Sequence, residues 1–281
     1  MSVAVSCPGL TDLNATLSQA IPRGTPKGTI VLVSGHGGTA FFNSGFANRY
    51  LADGFRVVQF GWNTDWEDTG GIGLTSASCR GATVFKFAFD HIHQANRNAG
   101  FCAQGSSGGG AAITYSLAQY GLSDYFDYVV IAAGPGVARL DYGCDRALYT
   151  GPPLNLCTQL TNAPFAFTSG GKVNGWENTT TCDAKSPLQS DIDKWAADSV
   201  ITSSGNYSYP KTGMSWFMCV TPPVNNSTGE AKFLIDQVLP KKAPDVNCYT
   251  GVCQGEAVWQ DTNAFNKTHS EMLSQCVPNH K

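Results

Sequence analysis

The sequence predicts a one-domain α/β fold, with a mostly parallel central sheet flanked by helices. Three observations predict it. From residue 29 onward, compact apolar runs alternate with helix-like segments. The runs are continuously apolar, as in strands buried on both faces. The chain has 281 residues, 42% of them hydrophobic and 11% aromatic, enough for one large core. Residues 29–34 (TIVLVS) read as a buried strand, followed by a glycine loop and a helix over 46–52. Residues 56–60 (RVVQF) read as the next strand and 82–93 as a helix burying Val84, Phe85, Phe89 and Ile92. A short strand at 100–104, a helix at 109–119 and a strand at 128–132 (YVVIA) complete the regular half.

After Gly134 the texture changes. Residues 134–213 are rich in Gly, Pro, Asn, Thr and Cys with little sustained periodicity, and read as an inserted, disulfide-rich cap or lid. The segment contains one helix, 190–197, whose Asp191 and Asp193 complement the helix dipole in its first turn rather than forming a metal pair. A returning core strand follows at 215–220 (SWFMCV), then helices at 229–238 and 270–276. No internal repeat or low-complexity segment divides the chain, so 1–281 is expected to be a single domain.

Charge and cysteine usage narrow the setting. Only 14% of residues are charged, the formal net charge is -3, and no basic run occurs, so nucleic acid is not an expected partner. No apolar stretch is long enough to cross a bilayer, and a soluble chain is expected. The ten cysteines (Cys7, Cys79, Cys102, Cys144, Cys157, Cys182, Cys219, Cys248, Cys253 and Cys276) are dispersed, without a C-x-x-C pair, and read as disulfides. Local pairs such as Cys248 with Cys253 or Cys144 with Cys157 would close short loops; the alternative for Cys102 is a small buried hydrophobe. Disulfides and six sequons, at Asn14, Asn178, Asn206, Asn225, Asn226 and Asn266, suit a secreted glycoprotein. No leader precedes Cys7, so the sequence is expected either to be a mature form behind an added Met or to lack its leader for another reason.

The chemistry concentrates at Gly105-Ser106-Ser107-Gly108-Gly109, a G-x-S-x-G match. It directly follows an apolar strand and opens a helix, the strand–turn–helix context of a nucleophile elbow. The central serine of such a turn is strained, and small neighbours keep backbone clear of it. The helix start behind Ser107 offers unsatisfied N–H groups and positive dipole to an oxyanion. Ser106 is the spare hydroxyl. Upstream, Ser34-Gly35-His36-Gly37-Gly38 closes the first strong strand, and His36 is expected to prop this loop rather than transfer protons.

With these motifs, residues 29–133 and the tail around His269 resemble the α/β-hydrolase superfamily, specifically its secreted serine esterases and lipases. The resemblance implies a Ser-acid-His triad and an oxyanion hole from the Gly108 N–H with Gly37 or Gly38. Of five histidines, His91 and His93 lie on the helix before the elbow strand and His280 in the tail; His269, expected in a loop before the last helix, is the preferred base. The acid departs from the family pattern: the loop after the 215–220 strand holds no carboxylate before Glu230, which is taken as the acid, with Asp141 as alternative and Asp261 as third choice. A neutral group such as Asn225 could also orient the histidine. Trp62 and Trp66, after the second strand, are candidates for a substrate pocket.

The resemblance implies acyl transfer through a serine acyl-enzyme, without metal or organic cofactor, on small-molecule, lipid or polymeric carboxylic esters. A serine peptidase or acyltransferase would use the same site, and a catalytically silent binding protein on the same fold is the rival.

Overall fold

The computed structural model describes residues 1–42, 45–134, 137–157, 173, 175–179, 187–221, 228–251 and 255–280. An eight-stranded sheet runs through the molecule, from β1 (Ser2–Val5), β2 (Leu13–Ala20), β3 (Gly28–Val33) and β4 (Arg56–Trp62) to β5 (Gly100–Ser106), β6 (Tyr128–Ala132), β7 (Gly213–Cys219) and β8 (Asp245–Tyr249). Its spatial order is β1-β2-β4-β3-β5-β6-β7-β8. β2 pairs antiparallel with both β1 and β4; every other pairing is parallel.

The central strands are buried on both faces because each face has its own helices. In β3, Ile30 and Leu32 join one core cluster while Val31 and Val33 join the other. The first cluster lies beneath α1 (Phe46–Ala52) and α7 (Thr262–Gln275), which touch each other. The second lies beneath α2 (Leu74–Phe87) and α3 (Gly108–Tyr120). The flanking strands were invisible to a search for apolar runs. β2 buries only alternate residues, Leu13, Ala15 and Leu17, and β8 is a half-buried edge with the polar sequence DVNCY.

α2 begins eight residues before the helix expected at 82–93 and passes into a π-helical turn at Ala88–Ile92. The reason is a long-range cap. Asp198 accepts hydrogen bonds from the Leu74 and Thr75 N–H groups (2.6 and 2.8 Å) and from Trp176 Nε1 (2.8 Å). It satisfies orphan donors that the local sequence, starting after Gly73, leaves open. Asp198→Ala is expected to lower stability by about 2–3 kcal/mol, checked by urea unfolding, because one buried and two partly buried donors lose their acceptor.

Between β6 and β7, across the segment expected to form the cap, the described residues include α4 (Leu140–Cys144) and α5 (Gln189–Asp198). Asp191 pairs with Lys194, and Asp193 accepts from Gln189, so both acids serve their own helix. Beyond β7, α6 (Thr228–Ile235) stands where 229–238 was expected. Cys7 bonds to Cys79, Cys102 to Cys276 and Cys157 to Cys248, and Cys144 and Cys219 are also disulfide-bonded. The local pairs Cys144–Cys157 and Cys248–Cys253 are therefore corrected, as is the reading of Cys102 as a plain hydrophobe. Chain proximity was a poor guide because the sheet brings remote segments side by side.

Candidate active site

Ser107 joins β5 to α3 with φ 48° and ψ -119°, a backbone state that costs a non-glycine residue about 1–3 kcal/mol. The surroundings hold it there. Its N–H donates to the Ala132 carbonyl at 2.9 Å, and its carbonyl accepts from Ala111 at 2.9 Å. A Cβ on Gly108 would run into the His36 carbonyl, and one on Gly109 into the carbonyls of Val33 and Ser34. Helix α3 can therefore lie against the end of β3 only if both residues are glycine. Positive φ recurs at His36 (54°) and at Ala133 (47°), next to Gly134, which packs on Ser107. Strain thus gathers around one hydroxyl. Ser106 is fully buried, and its Oγ has no hydrogen-bond partner among the described residues.

The loop after β3 is tied to the loop after β4. The Gly37 and Gly38 carbonyls accept from the Trp66 and Trp62 N–H groups at 3.1 and 2.8 Å, and the Asp65 carboxylate packs on Gly37. Gly38 N–H turns back to the Gly35 carbonyl at 3.3 Å. Trp62 and Trp66 are buried beneath this loop, with Trp62 against Gly38, and neither lines the cavity at Ser107. Their expected place in a substrate pocket is corrected: indole rings of this size are more stable filling the space under a glycine turn than facing water.

A cavity of about 810 Å³ opens over Ser107. One wall comes from Gly35, His36, Ala40 and Phe41; the other from the 3-10 segment Gly255–Gln260 and α7, through Glu256, Trp259 and Phe265. His36 is the one histidine of the five in its lining. His93 is buried against Thr29 and the Asn96 carbonyl, with burial lowering its pKa; His280 bonds the Phe126 carbonyl; His91 lies tilted over Phe87. His269 is not in a loop. It lies within α7, one turn beyond Phe265, where its Nε2 meets Asp53 Oδ2 at 2.7 Å and its ring stacks on Tyr50. The structure does not bring it together with Ser107. The loop expectation failed because Asp261 starts α7 earlier, accepting from the Asn263 and Ala264 N–H groups.

No protein-family model matches the chain, and no curated protein is similar to it in sequence. Solved structures are similar to it in fold. A bacterial brefeldin A esterase, described as a homologue of human hormone-sensitive lipase, superposes over 100% of this chain and 76% of its own, with TM-score 0.60 and 16% identity. A thermostable carboxyl esterase from Bacillus coagulans superposes over 98% and 96%, with TM-score 0.51 and 11% identity. A Pyrococcus horikoshii acylaminoacyl peptidase covers 100% of this chain with 42% of its own, at TM-score 0.55 and 14% identity. The chain has the α/β-hydrolase fold.

Within the α/β-hydrolase frame, the carboxylates proposed from sequence are dispersed. Glu230, on α6, is fully buried, and neither of its oxygens has a hydrogen-bond partner among the described residues. Burial and, secondarily, the neighbouring Asp141 push its pKa well above the usual carboxylate range. Asp141 is itself paired with Arg139. Neither lines the cavity at Ser107, Asp261 is spent as the α7 cap, and Asn225 lies outside the described residues. The carboxylate that does line the cavity, and that sequence reading passed over, is Glu256. Its signal was chain order: it follows the last strand of the α/β-hydrolase sheet, the stretch in which the family resemblance places the histidine.

The buried Glu230 has a consequence for stability. An acid whose folded pKa lies above its unfolded value favours folding fully below the unfolded value, and that contribution is lost as pH rises through the folded one. From an unfolded pKa of about 4.3, stability should therefore fall as pH rises above about 4. Glu230→Gln is expected to flatten this slope and to be more stable than the parent at about pH 8, as read by urea midpoints across pH.

Proposed function

We propose that this protein is a secreted serine hydrolase that cleaves carboxylic esters through an acyl-enzyme on Ser107. The observation that carries the reading is the strained elbow serine at the mouth of the cavity, at the start of α3. The hydroxyl attacks the ester carbonyl, and the tetrahedral oxyanion is met by the Gly108 N–H and one from the β3 loop. Gly37 is the better second donor, because the Gly38 N–H is engaged by Gly35. Residues 134–213 are read as a cap; 135–136, 158–172, 174 and 180–186 of them lie outside the described residues. Secretion is supported by the disulfides, and glycosylation by the exposure of Asn14, Asn178, Asn206 and Asn266. No helix among the described residues is long and apolar enough to cross a membrane.

A fluorophosphonate probe, followed by peptide mass spectrometry, tests the nucleophile. Labelling confined to Ser107 is the expected result; a folded protein that stays unlabelled would sink the reading. That outcome would favour a catalytically silent binding protein, a reading supported by one observation: residues 250–261, between β8 and α7, contain no histidine.

A further inference from the structure

We infer that His36, from the loop that supplies an oxyanion donor, is the general base for Ser107, with Glu256 stabilising its charged form. The inference rests on the Ser107 reading above and departs from the chain order of the usual triad. Of the other four histidines, three are hydrogen-bonded elsewhere, to Asp53, to Thr29 with Asn96 and to Phe126, and the exposed His91 tilts over Phe87. His36 is exposed and lines the same cavity as Ser107. Its backbone is fixed against the elbow, since the His36 carbonyl abuts Gly108 so closely that a Cβ there would collide with it. Its φ of 54° lies in the left-handed region, which histidine enters more readily than most non-glycine residues. A loop prop needs no imidazole: the carbonyls of Gly37 and Gly38 already anchor the loop to Trp66 and Trp62.

Glu256, on the 3-10 segment before α7, lines the same cavity as His36 and Ser107. Two further carboxylates border the loop, Asp65 packed on Gly37 and Glu67 with an oxygen beside Gly108. Carboxylates thus border the loop as well as the cavity.

The steps balance. His36 takes the Ser107 hydroxyl proton as Oγ bonds to the carbonyl carbon and the carbonyl electron pair moves onto oxygen. Collapse of that tetrahedral species breaks the carbon–oxygen bond to the alcohol, which leaves with the proton from His36. Water then adds to the acyl-enzyme, giving its proton to His36, and the acid departs as Ser107 Oγ recovers that proton.

The test uses the full chain and p-nitrophenyl acetate, with Ser107 labelling and Tm measured alongside. Because glycine and asparagine tolerate the left-handed backbone, His36→Gly and His36→Asn should keep the fold. Both are expected to lose about 10²–10⁴-fold in kcat, and added imidazole should restore part of the His36→Gly loss, which a purely structural role would not allow. Glu256→Gln should lower kcat with KM unchanged, while His269→Ala should keep kcat. Full activity in folded His36→Asn and His36→Gly, or loss of activity in a folded His269→Ala, overturns the assignment of the base alone. A wild-type protein that neither labels nor turns over overturns both the base and the ester-hydrolase reading.

Discussion

Ser107→Ala is expected to reduce ester turnover by about a millionfold in kcat, the scale on which removal of an activated serine nucleophile acts in serine hydrolases. The loss should be that large because no neighbouring hydroxyl can substitute. Ser106 borders the same cavity but is fully buried, with its Oγ toward Gly35. Ser106→Ala should therefore keep kcat within about tenfold and, by removing an unsatisfied buried hydroxyl, gain up to about 1 kcal/mol of stability. Alanine at 107 also has to adopt φ 48° without any chemical return, so Tm is not expected to rise. Steady-state assays of both variants, with unfolding curves recorded in parallel, check the pair. Equal loss in the two would move the nucleophile away from Ser107.

Replacing Cys102 and Cys276 together by alanine should produce the largest stability change of a disulfide deletion with a known partner. The bond links residues 174 apart, and the entropy of closing so long a loop corresponds to about 5 kcal/mol, with removal of native disulfides costing about 2–5 in practice. For a domain of this size that is a Tm lower by about 10 °C. The site of the bond adds to the effect. It fastens the end of α7 to β5, the strand that carries Ser107, and Gly100 at the start of β5 leaves no room beside the Cys276 carbonyl. Calorimetry of the double variant against the parent tests the magnitude. The elbow lies at the opposite end of β5, so activity at a temperature well below Tm should persist.

The central strands and the elbow were legible because their information is local. A buried parallel strand announces itself as four or five consecutive apolar residues, as in 29–34 and 128–132. The elbow needs a strand, a tight turn and a helix start, all within about a dozen residues. The antiparallel β1–β2 hairpin and the edge strand β8 were not legible, because a strand buried on one face or half-exposed carries a sparse pattern that loops can imitate. The partners of Ser107 were harder still. His269 had the right chain order, yet a local cap by Asp261 puts it in mid-helix and Asp53 engages its ring.

By itself, then, the sequence determined the α/β layering, the strand–turn–helix around Ser107 and the oxidised state of cysteines, since each follows from nearby residues or composition. Only the tertiary structure decided which cysteines pair, that Trp62 and Trp66 lie under the loop, and that His36 and Glu256 share a cavity with Ser107. The physical reason is that these are meetings of segments remote in the chain. They are set by strand order and helix packing, and no local propensity encodes them.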